Sequence, residues 1–262
     1  MLEESAHTVA FMLAPSPPPR FRIALLDVLR GCAILAMVAF HFCFDLEYLG
    51  LADLGMSERW GWIAFARAIP ACFITIAGFS LALAHRDGIR WRSFGWRMAY
   101  LAGAAMLVTL VSYFVDRDAI IWFGILHCIA VSSVLGLAFL RAPPALTLLA
   151  ALLVLVGSRF ASAHFNAPAL LFLGLGTEEP PSDDYNPLFP WFAFMLIGIA
   201  MARWLLPHAA NAGWASWRPG GRTTRMLALA GQHSLAIYLL HQPILFGLLF
   251  ATSWLLAIAA AH

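Results

Sequence analysis

Seven runs of apolar residues, separated by polar segments, divide the sequence. Each run has about the twenty residues that an α-helix needs to cross the hydrocarbon of a bilayer. The pattern therefore predicts an all-α, polytopic integral membrane helix bundle with about seven transmembrane helices. The predicted spans are 23–44, 61–84, 96–115, 119–139, 144–162, 188–206 and 226–256.

Composition strengthens this interpretation and argues against other classes of protein. Hydrophobic residues make up 62% of the 262 residues and charged residues only 11%, whereas a soluble domain carries about 25% charged residues. A soluble helical protein with a large apolar core is therefore disfavoured. The net charge of +2 gives no indication of nucleic-acid binding. The four cysteines have neither disulfide nor metal-ligand spacing, so we expect no metal.

The arginine positions orient the bundle. Eleven arginines lie before the first span or around the 2–3, 4–5 and 6–7 loops, and three lie around the opposite loops. Because positive residues concentrate in cytoplasmic loops, we predict the N-terminus in the cytoplasm and the C-terminus outside. The proline-rich start of the chain is typical of a linker. We therefore predict a flexible cytoplasmic N-terminal tail at 1–22 and a single transmembrane domain at 23–262.

Four ionisable residues interrupt the first span: Asp27, Arg30, His41 and Asp45. At about 100° per residue, Arg30 lies about 60° and His41 about 40° from Asp27, and Asp45 returns to the same angle. All four share one narrow stripe, which predicts an interior polar face because ionisable groups are costly against lipid. Arg30 and His41 are about 16 Å apart along the helix axis.

Other spans carry polar residues at a similar predicted depth. His127 lies in the fourth span and His241 in the last, both toward the outer side, as does His41. Arg67 lies in the outer half of the second span, where we expect it to form an ion pair with Asp45. The structural alternative for each is a hydrogen-bonded or ion-paired residue that only holds helices together.

Acyl transfer from acyl-CoA suits this set of residues. A neutral imidazole can accept a proton and return it, and a neighbouring carboxylate fixes its tautomer. The candidate catalytic residues are therefore His41, Asp45, His127 and His241. An arginine near the cytoplasmic end can bind phosphate through two parallel hydrogen bonds. Arg30, with Asp27 beside it, is the candidate site for the phosphates of the donor.

The first span, LLDVLRGCAILAMVAFHFCFDLEYLG, resembles that of the transmembrane acyltransferases, since Arg30 and His41 match the arginine and histidine of acyltransferase family 3. The segments FDLEYLG, FGILHCIAVS, DYNPLFPWFAFMLIGI and GQHSLAIYLLHQPIL are more similar to the bacterial relatives of heparan-α-glucosaminide N-acetyltransferase. The resemblance covers about residues 20–256. It implies one transmembrane acyltransferase-like domain that uses acetyl-CoA or another acyl-CoA as donor.

The resemblance also implies a sugar or glycan acceptor on the extracytoplasmic side and a location in the bacterial inner (plasma) membrane. The longest predicted outer loop, at about 174–187, overlaps one of the matching segments. Loops of this kind often carry recognition, although this one could equally be a solvated linker. The expected acceptor-side residues are Arg67, Asp184, Tyr185 and Trp191.

Two alternative functions remain open at this point. Histidines on different helices can ligate haem iron, and His41 with His127 would be the candidate pair. Buried charges also occur in proton-coupled or small-molecule transporters. Transporters often contain inverted repeats and paired broken helices, and neither is visible in this sequence.

The predicted orientation is testable by cysteine accessibility. In a cysteine-free background, a single cysteine at position 88 should react only from the cytoplasm, and one at position 180 only from outside. Labelling of intact cells with an impermeant reagent measures this. Shielding of the cysteine at position 180 from external reagent would overturn the orientation.

Overall fold

The computed structural model describes residues 22–182, 184–211 and 213–260, and within these ranges the chain is helical and has no strand. The predicted tail at 1–22 lies outside the described residues, except for Arg22. In chain order the helices are α1 (Ala24–Tyr48), α2 (Trp60–Ala84), α3 (Trp91–Val115), α4 (Ile125–Gly136), α5 (Pro144–Gly157), α6 (Leu188–Leu205), α7 (Gly213–Ser216), α8 (Arg222–Gln232) and α9 (Ser234–Ala260).

Five of these helices are long and apolar enough to cross a membrane: α1, α2, α3, α6 and α9. Two shorter apolar helices, Ile125–Phe139 and Pro144–Gly157, correspond to the fourth and fifth predicted spans. The prediction of an all-α, polytopic membrane bundle is confirmed. The fourth span begins six residues later than the predicted 119, because residues 116–124 are irregular.

The last predicted span, 226–256, is two helices rather than one. The helix α8 ends at Gln232, and α9 begins at Ser234 after His233, whose ψ of 18° departs from helical geometry. The packing of α8 against α1 explains the separation. A methyl group on Gly231 would collide with the Asp27 carbonyl oxygen, and one on Gly31 would collide with the Leu227 carbonyl oxygen. The backbones of α1 and α8 are therefore in direct contact. This contact fixes the position of α8 and prevents it from continuing in line with α9.

A second pair of glycines brings α2 and α6 together at the centre of the bundle. A methyl group on Gly78 would collide with the Met195 carbonyl oxygen, and one on Gly198 would collide with the Thr75 carbonyl oxygen. Small residues of this kind let helix backbones approach closely in membranes, where lipid removes most of the hydrophobic drive for helices to associate. The main apolar core surrounds this crossing and includes Ile74, Phe79, Leu81, Met195 and Ile199.

The α2–α6 crossing predicts a specific sensitivity to one added methyl group. Gly78→Ala should lower the free energy of unfolding by about 1–3 kcal/mol or more, because a backbone carbonyl cannot move aside as a side chain can. Gly103→Ala on α3 is the control, since nothing lies within 4 Å of its added methyl. That control should raise helix stability by about 0.5–1 kcal/mol. Unfolding in detergent measures both, and equal effects would contradict the close crossing.

Candidate active site

One end of the polar stripe on α1 forms a cluster of guanidinium groups around a single carboxylate. Asp27 is buried and accepts hydrogen bonds from Arg22 Nε at 2.7 Å and from Arg30 Nη1 at 3.1 Å. Arg30 Nη2 also donates to Ser80 Oγ on α2 at 2.9 Å. We call Arg22, Asp27, Arg30 and Ser80 the arginine cluster. It has more positive than negative charge, which suits an anionic ligand.

The other end of the stripe brings two histidines from distant parts of the chain into contact. The rings of His41 on α1 and His241 on α9 lie 4.9 Å apart between centroids, with 70° between their planes. His41 Nδ1 is 3.0 Å from the Met37 carbonyl oxygen, and His241 Nδ1 is 2.6 Å from that of Tyr238. A carbonyl oxygen only accepts, so both Nδ1 atoms carry the proton. In the neutral rings, both Nε2 atoms are therefore left as proton acceptors.

A hydrogen bond between Asp45 and Gln242 joins the same two helices beside these rings. Gln242 Nε2 donates to Asp45 Oδ1 at 2.8 Å, and Asp45 is only 1% exposed. Three buried atoms of this cluster have no hydrogen-bond partner among the described residues: Asp45 Oδ2, Gln242 Oε1 and His241 Nε2. All three are acceptors in this arrangement, so the cluster suits a ligand that presents hydroxyl or amino hydrogens.

The expected ion pair between Asp45 and Arg67 is wrong. Asp45 points toward α9 and bonds to Gln242, while Arg67 is exposed on α2. No ion pair joins them within the described part of the chain. The two residues lie on consecutive helices, but Asp45 faces the interior and Arg67 is exposed. The buried Asp27 and Asp45 do confirm that the polar stripe on α1 faces the interior.

Asp184 connects the loop before α6 to the histidines. Its Oδ2 accepts hydrogen bonds from the Ile125 backbone N–H and from the Tyr238 hydroxyl, each at 3.1 Å, and Asn186 donates to Oδ1. The Tyr238 ring lies 5.9 Å from the ring of His241, so Asp184 reaches the histidine pair through the Tyr238 hydroxyl. Burial raises the pKa of the Asp184 carboxyl above its ordinary value, and the hydrogen bonds act in the opposite direction.

His127 lies near this group but has both ring nitrogens engaged. Its Nδ1 accepts a hydrogen bond from the Gly124 backbone N–H at 3.3 Å, and its Nε2 is 3.4 Å from Thr109 Oγ1. The Thr109 hydroxyl donates to the Ile121 carbonyl oxygen at 2.6 Å, so Nε2 must supply the hydrogen to Thr109. This makes His127 a cap at the start of α4, unlike His41 and His241.

The remaining predicted acceptor-side residues lie apart from the histidines. The Tyr185 hydroxyl donates to the Leu171 carbonyl oxygen at 2.6 Å, which fastens the loop to a short 3-10 helix at Pro168–Leu173. Trp191 packs against the main apolar core and lies 5.7 Å from the Phe194 ring. Of the four predicted residues, only Asp184 reaches the histidine end.

Sequence reasoning did not single out Ser80, Gln242 or the hydroxyl of Tyr238 as parts of a site. The spacing of Tyr238, His241 and Gln242 places them on neighbouring positions of one helix surface. Gln242 could therefore have been predicted as part of the site, because it is a polar residue that directly follows His241 in an apolar helix. Ser80 gave no such signal, because a single serine in an apolar span is common.

The sequence model of the family described as "Heparan-alpha-glucosaminide N-acetyltransferase, catalytic" matches residues 22–243. The chain belongs to this family. The matched range begins at Arg22 and extends one residue beyond Gln242, so both ends of the polar stripe lie within the heparan-alpha-glucosaminide N-acetyltransferase region. Membership supports a membrane acetyltransferase and makes the polar stripe its candidate active site. No curated protein and no solved structure matches the chain.

The Asp45–Gln242 contact predicts coupled stabilities. Gln242→Leu leaves the Asp45 carboxylate without its donor and should lower the free energy of unfolding by about 1–3 kcal/mol. Asp45→Leu combined with Gln242→Leu should cost less than the sum of the single changes, because neither partner is left alone. The matched control is Asp45→Leu with Arg67→Leu, whose effects should add. Additive losses in the first pair would contradict the contact.

Proposed function

We propose that the chain transfers an acetyl or other acyl group from cytoplasmic acyl-CoA to a sugar or glycan on the extracytoplasmic side of the membrane. The observation that carries the proposal is the arrangement on α1. Arg30 and His41 lie on one inward face of a continuous helix, about 16 Å apart along its axis. One helix thus offers a phosphate-binding group at one end and a proton acceptor at the other.

The arginine cluster suits the donor. A guanidinium binds phosphate oxygens through a planar fork of donors. Among the described residues, Asp27 is the only carboxylate that forms an ion pair with these arginines. The rise from Arg30 to His41 is comparable with the extended pantetheine arm of coenzyme A. Phosphates held near Arg30 would therefore place the thioester close to the histidines. The predicted orientation puts this cluster on the cytoplasmic side, where acyl-CoA is available.

The chemistry assigned to His41 is general base and acid catalysis. His41 Nε2 takes the proton from the acceptor hydroxyl or amine as its oxygen or nitrogen attacks the thioester carbonyl. The carbon–sulfur bond breaks, and the protonated imidazole returns the proton to the departing thiolate. The Nδ1–H bond to the Met37 carbonyl holds the ring in the tautomer that this step needs. The alternative course, through a transient acyl-histidine, uses the same nitrogen as nucleophile.

The surrounding groups support His41 rather than the other candidates. His241 offers a second acceptor nitrogen beside it, and the Asp45 carboxyl group lies one helical turn further along the same stripe of α1. His127 is less suited to proton transfer because both of its nitrogens are engaged. The same engagement disfavours a haem held between His41 and His127. Asp184 is the proposed contact to the acceptor, whereas Arg67, Tyr185 and Trp191 lie apart from the histidines and are proposed only in lesser roles.

His41→Ala should lower acyl transfer by about 10²–10⁴-fold, the range that a general base contributes. Acyl-CoA should still bind, because the arginine cluster is unchanged. Transfer of labelled acetyl from acetyl-CoA and calorimetric binding of CoA measure the two effects separately. His164→Ala, at an exposed 3-10 helix, is the control and should keep full activity.

Two further results bear on the assignment to His41. Wild-type activity should fall at acidic pH, because a protonated imidazole cannot accept the proton of the acceptor. Full activity in His41→Ala, with loss only in His127→Ala or His241→Ala, would move the chemistry away from α1.

A further inference from the structure

A third arginine, on another helix, lies near the arginine cluster. Arg97 is in the second turn of α3, on the side that carries Phe94, Met98 and Leu101. These three residues pack against the main core, which also includes Leu26 of α1 and Leu81 of α2. Both helices contribute to the arginine cluster, through Arg30 and Ser80. Arg97 therefore lies on the core-facing side of α3. At the start of this helix the Phe94 ring lies 5.8 Å from the ring of His85, which directly follows α2, the helix that carries Ser80.

The charges at this end of the bundle do not balance. Asp27 already accepts from both Arg22 and Arg30. Arg97 lies close enough to Arg30 for the two charges to repel each other. Within the described residues, Arg97 makes no ion pair. Two guanidinium groups held together at a partly buried position are costly, unless an anion lies between them for part of the working cycle.

We propose that Arg97 and Arg30 together form the binding site for a pyrophosphate group, that of the coenzyme A donor. The inference rests on the function proposed above. Arg22, Arg30 and Arg97 carry three positive charges and Asp27 carries one negative charge. Their net charge of +2 matches the two negative charges of a pyrophosphate diester. Guanidinium forks from two helices can bind the two phosphoryl groups side by side.

The position of the cluster selects the pyrophosphate over the 3′-phosphate of coenzyme A. The pyrophosphate is the phosphate-bearing group next to the pantetheine arm, whereas the 3′-phosphate lies beyond the ribose. With the thioester at His41, the pantetheine arm extends along α1 and ends near Arg30. The phosphate of an anionic lipid shares this chemistry, and the experiment separates the two sources.

The test measures binding to the full chain in nanodiscs of phosphatidylcholine. Arg97→Met should weaken acetyl-CoA and 3′-dephospho-acetyl-CoA alike, by roughly 10–100-fold, as expected for lost charge-assisted hydrogen bonds. Binding of acetyl-pantetheine, which has no phosphate, should not change. Arg97→Lys should recover only part of the loss. Arg141→Ala removes an exposed arginine between α4 and α5 and is the control, with unchanged binding.

A stability measurement separates a binding role from a structural one. Without ligand, Arg97→Met should unfold at the same or a higher temperature than the wild type, because the repulsion with Arg30 is removed. The increase in unfolding temperature that acetyl-CoA gives should shrink. Lower stability without ligand, together with equal losses for all three donors, would show a structural arginine and overturn the proposal.

Three further outcomes would show which phosphate group Arg97 binds. A loss confined to acetyl-CoA, with 3′-dephospho-acetyl-CoA unaffected, would assign Arg97 to the 3′-phosphate and overturn the pyrophosphate assignment. Unchanged donor binding, with loss of phosphatidylglycerol that copurifies with the wild type, would assign it to a lipid headgroup and also overturn it. Binding of inorganic pyrophosphate, lost in Arg97→Met, would support the site even if no acetyl transfer is found, so the two proposals fail separately.

Discussion

Close approach of helix backbones is the constraint on which the rest of this structure depends. Lipid surrounds an apolar helix as favourably as another helix does, so packing and polar contacts must hold the bundle together. The α2–α6 crossing at Gly78 and Gly198 and the α1–α8 crossing at Gly31 and Gly231 leave no room for a side chain. The second crossing lies at the Asp27 carbonyl, within the arginine cluster. The packing that builds the fold therefore also positions the arginine end of the candidate site.

The buried polar groups on α1 lower the stability of the fold, which favours a functional role for them. Buried polar atoms without partners are unfavourable, and proteins tend to keep them where function requires them. Asp45 uses one oxygen to bind Gln242, and its other oxygen has no hydrogen-bond partner in the part of the chain that the structure describes. The arginine end likewise holds more cations than its single carboxylate can offset. These departures occur at the two ends of one helix, as expected for a site that binds a long donor and a separate acceptor.

The sequence predicted those features that depend on local periodicity. Hydropathy located the apolar helices, and the helical repeat placed Asp27, Arg30, His41 and Asp45 on one inward face, because both signals lie within a single segment. Partners from distant segments were not predictable in this way. Gln242 is 197 residues from Asp45, and neither charge nor spacing distinguishes it from Arg67 without the packing of α9 against α1. The length of the last predicted span already suggested that it could begin as an interfacial segment, but the position of the break at His233 was not predictable, because it follows from the contact of α8 with α1.

The different states of the three histidines follow from where each lies in its helix. The first backbone N–H groups of a helix have no partner inside it, so a histidine there can accept one of them, as His127 does from Gly124. His41 and His241 lie inside continuous helices, where Nδ1–H instead reaches back to a carbonyl about one turn earlier. Their Nε2 atoms then point away from their own helices, toward neighbouring ones. The predicted start of the fourth span at 119 placed His127 in mid-helix, where it resembled the other two. The observed start at Ile125 places it in the first turn, and this shift of six residues distinguishes a helix cap from the two histidines that are candidate bases.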